Sequence, residues 1–227
     1  MIYKTIHQSW STEILPAKYL KIKIQNKKFF KDWNYKLWTD DENDFFIKNK
    51  YPSFYKIYKN YNHYINRVDA VRYFYLYEYG GLYLDLDIII KKDITKLLSK
   101  GKCCLFSQKA INDYFSVKKY EKYIDPMIMY SSPKNKFLEK LIKKLHTNGN
   151  NKKYNNVYDN MEVAGPAFLT KNFTVGDDVD VISDKIITKK NLKYYDDVYG
   201  IHLCDNNWVK WKKAKNYIIK LKLLKIC

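Results

Sequence analysis

Nowhere does the chain hold an uninterrupted apolar run of the ~20 residues needed to cross a bilayer, and its opening, MIYKTIHQSW, has no apolar signal-peptide core. Both absences lead to the expectation of a soluble or membrane-peripheral protein of the cytoplasm, with no signal peptide and no transmembrane helix. Cysteine is scarce: Cys103, Cys104, Cys204 and Cys227 show no CxxC spacing and no His-rich companion motif. A disulfide framework and a structural zinc site are therefore not signalled, and a reducing compartment fits. Low-complexity tracts, internal repeats and composition breaks are missing too, so 227 residues are expected to form one domain spanning 1–227. Acids are outnumbered, 24 against 42 Lys and Arg, for a net charge of +18. Such a surface attracts polyanions. The lysines are spread along the chain, however, and no RNP, KH, zinc-finger or helix-turn-helix pattern is present, so nucleic acid is not expected as a partner.

What is present alternates between strand and helix patterns. Ile2 to Ile6 reads as a first strand ending near His7 to Trp10, and Pro16 opens a helix through about Asn26. Trp33 to Trp38 is a second strand, and TDDEND then supplies a helix start, with Thr39 or Asp40 as cap. Helices follow after Pro52 and over Ile65 to Tyr79, the latter stopped by Gly80-Gly81. Leu82 to Ile90, Lys102 to Ser107, Asp125 to Ser131 and Val198 to Cys204 read as strands. Asn135 to His146 has the apolar spacing of an amphipathic helix, and Thr147 to Asn156 reads as a polar loop. This order predicts an α/β fold with a mostly parallel sheet flanked by helices, whose ligands lie beyond the carboxyl ends of the strands.

The stretch YGGLYLDLDIII is the chemically informative one. If Leu82 to Ile90 is one strand, Tyr83, Asp85 and Asp87 share one face and Leu84, Leu86 and Ile88 the other. Two adjacent carboxylates in an apolar strand demand cations or strong donors, and a hard divalent ion, Mn²⁺ or Mg²⁺, prefers oxygen ligands and is commonly shared with substrate phosphates. The opposing reading ends the strand at Leu84 and leaves both acids solvated. Upstream, Asp69 and Arg72 fall on the helix face that should be buried, three residues apart and able to be neighbours. They can form a structural ion pair, or a site in which Arg72 faces a phosphate and Asp69 accepts from sugar hydroxyls.

The run INRVDAVRYFYLYEYGGLYLDLDIII, with HQSW near the start (His7 to Trp10), resembles glycosyltransferase family 32, the D-x-D sugar-binding group. Its R-x-D-x-x-R and Y-x-D-x-D patterns are also similar to the sugar-transferring domains of large clostridial toxins. The resemblance is strong over about Tyr3 to Lys92 and weaker at AGPAFLT (Ala164 to Thr170) and HLCDNNW (His202 to Trp208). It implies an A-type, Rossmann-like single domain with residues 1–92 as nucleotide-sugar-binding core. It also implies a metal-dependent retaining transfer of a hexose from a UDP- or GDP-linked donor to a glycan or lipid-linked acceptor. By this resemblance Asp69, Arg72, Asp85 and Asp87 carry catalysis. His7, Trp10, Tyr83, Gly165 and Trp208 join Asp69, Arg72 and Asp85 around the donor, and Asp85, Asp87 and His202 hold the metal. Ala164 and Asn207 depart from the Thr and Ser common in the family.

Two features stay outside that picture. The tail from Trp208 to Cys227 has apolar residues at helical spacing among lysines, and reads either as a core-packing helix or as a basic amphipathic helix lying on an anionic membrane. Paired acids also suit a metal-dependent phosphodiesterase, although two-ion enzymes usually gather a larger acidic cluster. A basic nucleic-acid-binding protein is the other alternative.

Overall fold

The computed structural model describes residues 1–109, 122–148, 161–174, 178–183, 186–189 and 198–205. The first part of the chain lays down β1 (Thr5–Ser9), α1 (Ala17–Asn26), β2 (Asn34–Trp38), α2 (Asp40–Lys50), α3 (Pro52–Lys59) and α4 (Tyr64–Tyr79). Then come β3 (Gly81–Leu84), β4 (Ile88–Ile90), β5 (Cys103–Lys109), β6 (Lys122–Ser131) and α5 (Lys136–Asn148). The last described elements are α6 (Pro166–Asn172), β7 (Val179–Ile182), β8 (Ile187–Lys189) and β9 (Gly200–His202).

Six strands form one sheet in the order β2-β1-β3-β6-β5-β7, and three form a second in the order β4-β9-β8. In the larger sheet β1 runs parallel to both β2 and β3, and β5 to β7, while β6 is antiparallel to β3 and β5. The predicted α/β sheet is thus present, with one reversed strand in its middle. Alternation along the strands feeds two cores. Tyr83, Cys103, Leu105 and Met129 pack towards α2 to α5, and Leu82, Leu84, Cys104, Phe106 and Ile128 pack on the opposite side with the smaller sheet.

Local chemistry explains the helix ends. The Thr39 hydroxyl accepts from the Glu42 amide while the Glu42 carboxylate accepts from the Thr39 amide, a reciprocal cap for α2. Gly80 (φ 63°) and Gly81 (φ 98°) turn the chain from α4 into β3; a Cβ on Gly80 would lie 2.6 Å from Pro133 and one on Gly81 2.4 Å from the Thr5 carbonyl.

Several expectations are corrected. The strand over Leu82 to Ile90 is two strands in different sheets, interrupted at 85–87. β1 begins at Thr5, β5 and β6 reach Lys109 and back to Lys122, and α5 continues through Asn148, where a loop from Thr147 was expected. Gly165 precedes α6 and Pro166 opens it, where its missing N–H costs nothing. Trp208 and the tail to Cys227 lie outside the described residues. Cys103, Cys104 and Cys204 are not in disulfides, and among the described residues no helix is long and apolar enough to cross a membrane.

Candidate functional site

β3 stops at Leu84 because its next residues turn away. The Asp85 amide donates to the Met127 carbonyl (2.9 Å), a last rung with β6, and the Ile88 amide closes back on the Asp85 carbonyl (3.3 Å). The turn Asp85–Ile88 carries the chain across to β4, whose Ile88 pairs with His202 of β9. Asp87 is tied to the strand end by both its groups: its carbonyl accepts from the Leu203 amide (3.0 Å) and its Oδ2 from the Asp205 amide (2.9 Å). Its Oδ1 lies 3.5 Å from His202 Nε2. One ligand atom each from Asp85, Asp87 and His202 falls within 4.8 Å of the other two, and this is the one such three-residue group among the described residues. The turn, and not strand alternation, makes the two acids converge.

Arg72, projecting from α4, borders this group. Its guanidinium donates to Asp69 Oδ1 (2.6 Å) and to the Pro126 carbonyl (2.9 Å), stands 4.4 Å from the Tyr83 ring centroid, and approaches Asp85 Oδ1 at 3.8 Å. Pro126 can offer that carbonyl because β6 is irregular. Between Leu105–Met129 and Phe106–Asp125 the register jumps, leaving extra residues on β6 around a proline that cannot extend a ladder. Arg72 Nε is buried without an acceptor among the described residues, and so is His202 Nδ1 without a partner. These are donor and ligand atoms that a bound anion and cation would satisfy. Two carboxylates and an imidazole form an oxygen-rich set of the kind a hard divalent ion accepts.

The electrostatics follow from crowding acids in a half-closed space. Burial pushes the Asp85 carboxyl up to about 7; Arg72 counters this and Asp87 reinforces it. Asp87 goes the other way: burial alone would raise it, but the His202 hydrogen bond and charge and the Asp205 amide hold it below the usual carboxylate range. His202 is lifted to about 9, burial being outweighed by Asp87. Asp69, largely buried, is pushed up by burial while Arg72 pulls it back.

The other sequence-derived candidates take different places. Tyr83 is buried beneath Arg72. Gly165 abuts Asp69: a Cβ there would lie 2.9 Å from Asp69 Oδ2. Trp10 stacks obliquely on Tyr19 (5.3 Å) and packs against a small cluster containing Leu86, the residue between the two acids. His7 is 2% exposed, with Nε2 2.9 Å from the Gly80 carbonyl and Nδ1 accepting from Trp38 Nε1 (3.1 Å). Neither ring nitrogen is left for a donor, and burial lowers its pKa to about 4. In this position His7 braces β1 against the Gly80 turn. Sequence reasoning missed Asp125, whose charge acts on Asp69, Asp85 and His202 alike. The Asp-Pro pair inside an apolar strand was the available signal, since proline there marks a bulge.

Comparison with known proteins finds likenesses of sequence and of fold. Residues 16–103 match the family described as glycosyltransferase sugar-binding region containing DXD motif. An inositol phosphoceramide mannosyltransferase of Schizosaccharomyces pombe is 34% identical over 179 residues, covering 76% of this chain and 51% of that protein. A mannosyl phosphorylinositol ceramide synthase of Saccharomyces cerevisiae is 40% identical over 98 residues, 43% of this chain and 26% of its own. The chain thus spans about half the length of the first relative and about a quarter of the second. Among solved structures, the PaToxG glycosyltransferase aligns with TM-score 0.57 at 19% identity, covering 75% of this chain and 68% of that one. The galactosyltransferase LgtC, solved with donor and acceptor sugar analogues, aligns with TM-score 0.50 at 13% identity over 97% and 95%. Both likenesses are of fold.

Proposed function

Because the chain belongs to the sugar-binding glycosyltransferase family marked by the DXD motif and has the A-type glycosyltransferase fold, we propose that it transfers a hexose, mannose first among the candidates, from a nucleoside-diphosphate sugar to a glycan or lipid-linked acceptor. The observation that carries this reading is the meeting of Asp85, Asp87 and His202 within 4.8 Å, with Arg72 3.8 Å from Asp85. Names of the relatives favour mannose as donor sugar and an inositol-phosphate lipid as one acceptor to test.

Asp85, Asp87 and His202 would hold Mn²⁺ or Mg²⁺, which when bound supplies Lewis-acid stabilisation of a departing diphosphate. Arg72 adds a fixed positive charge on the same side. Its orientation is set before any ligand arrives by Asp69, Pro126 and Tyr83, so little reorganisation is needed when negative charge develops on the leaving oxygens. Asp69, packed against Gly165, is placed to accept from a sugar hydroxyl with the Oδ2 that Arg72 does not use. Transfer is expected to retain the anomeric configuration, with the acceptor hydroxyl entering on the face the diphosphate leaves.

The test is donor hydrolysis with Mn²⁺ across GDP-mannose, UDP-galactose, UDP-glucose and UDP-N-acetylglucosamine, which needs no acceptor. One donor should be consumed, Asp87→Asn should lower the rate by ~10²–10³-fold in line with loss of a charge-stabilising group, and EDTA should stop it reversibly. Undiminished turnover by Asp87→Asn, or in excess EDTA, refutes the reading.

A further inference from the structure

The inner face of α1 belongs to the site. Tyr19 and Ile22 are buried with Leu86, and the Asn26 side chain bonds the Ile88 carbonyl (2.7 Å) and the Ile90 amide (2.9 Å), clamping β4 just after the acidic turn. The outer face has no such employment. At 100° per residue Ala17, Leu20, Lys21 and Ile24 lie opposite Tyr19, Ile22 and Asn26. Leu20 is 47% exposed, Ile24 61%, and Ile14, just ahead of the helix, 82%. They make up three of the seven large exposed hydrophobics among the described residues. Lysines border them: residues 11–31 contain Lys18, Lys21, Lys23, Lys27, Lys28 and Lys31 against the single acid Glu13. Lys21, Lys27 and Lys28 are exposed.

Apolar side chains held out into water lose the burial that would reward them, and lysines beside them can keep their heads in an anionic headgroup layer while their stems lie on hydrocarbon. That pairing is the composition of an interfacial helix. We propose that the outer face of α1, with Ile14, docks the protein on an anionic phospholipid bilayer. The charge complementarity is local as well as global: the patch is basic within a chain of net charge +18. Because the same helix fixes the Asp85–Ile88 turn from its other side, docking sets the site about one helix diameter, roughly 10 Å, from the membrane plane. A lipid-linked acceptor would then reach the site without leaving its bilayer. This last step rests on the functional reading above; the docking itself does not.

The experiment is flotation of the full chain with vesicles of phosphatidylcholine plus phosphatidylserine, and of phosphatidylcholine alone, with donor hydrolysis in solution measured on the same samples. The chain should float with the anionic vesicles only. Leu20→Glu with Ile24→Glu should weaken vesicle binding at least about tenfold while leaving hydrolysis unchanged, since both residues are exposed and outside the site. Lys140→Glu with Lys144→Glu, on the lysine face of α5, and Leu221→Glu with Leu224→Glu, near the C-terminus, should each retain most of the binding. Equal flotation of the α1 variant overturns the proposal, as does loss of flotation only in the Leu221/Leu224 variant, which would assign docking to the C-terminal segment. Absence of flotation with anionic vesicles, or binding to an oligonucleotide in preference to them, also overturns it. Failed hydrolysis with intact α1-dependent flotation would instead fault the catalytic reading alone.

Discussion

Two histidines show how one residue type takes opposite roles. His7 sits between the Gly80 carbonyl and the Trp38 indole, one acceptor and one donor, which suits only a neutral ring protonated on Nε2. Its ring should therefore stay neutral down to about pH 4, and an NMR titration that finds a midpoint near the unperturbed ~6.5 refutes this placement. His202 faces Asp87 and is held as a cation up to about pH 9. A divalent ion bound through His202 must displace that proton, so binding releases protons and tightens as pH rises. Between about pH 7 and pH 9 the Mn²⁺ affinity should climb close to tenfold per pH unit if one proton leaves, and calorimetry in buffers of different ionisation enthalpy would count it. A flat affinity over that window would mean that His202 keeps its proton and is not a ligand. Asp125 is the third residue of interest. Removing its charge as Asp125→Asn should lower the Asp85 carboxyl by a small amount, because the two repel while burial keeps most of the upward shift. The acid limb of the rate–pH profile should shift down, and an unmoved limb would exclude the coupling.

At the scale of elements, the legible parts were those whose signal is local. The capping box at Thr39 and Glu42, the Gly80-Gly81 stop and the 3.6-residue pattern of α5 depend on neighbours in sequence, and each appears where those residues stand. The break after Leu84 was legible only as the opposing reading, because the alternation from Leu82 to Ile88 suits a continuous strand equally well. What interrupts it is remote: the Met127 carbonyl takes the last rung, and β9, more than a hundred residues later, recruits Ile88 to another sheet. The Asp85–Asp87–His202 grouping could be expected only through a family likeness, since no spacing rule joins β9 to β3. Asn26 was equally invisible, an amide at the end of an ordinary lysine-rich helix, yet it satisfies two backbone groups of β4. Asn26→Ala orphans both, at a cost of about 2 kcal/mol, and should weaken Mn²⁺ binding as well, because β4 anchors the Asp87 side of the turn. Chemical denaturation and metal titration on this variant measure the two effects; an unchanged midpoint and affinity would show that the clamp is dispensable.

For the molecule as a whole, the candidate site lies at the seam between two sheets. Asp85 hangs from the six-stranded sheet through Met127, His202 belongs to the three-stranded one, and Arg72 reaches in from α4. Ligands that engage all three side chains join elements that otherwise meet through the apolar cluster beneath Leu84 and Ile88. Binding to the folded state alone stabilises it by mass action, ~2.7 kcal/mol at a hundredfold excess of ligand over Kd. For a chain of 227 residues that corresponds to a rise in Tm of roughly 5–10 °C. Mn²⁺ together with the matching nucleoside diphosphate should produce a shift of this size, Mn²⁺ alone a smaller one, and the diphosphate with EDTA little. Asp87→Asn should abolish the metal-dependent part, while Leu20→Glu with Ile24→Glu, on the far side of α1, should leave it intact. A full shift in Asp87→Asn would place the ligand elsewhere, and with it the chemistry assigned to this seam.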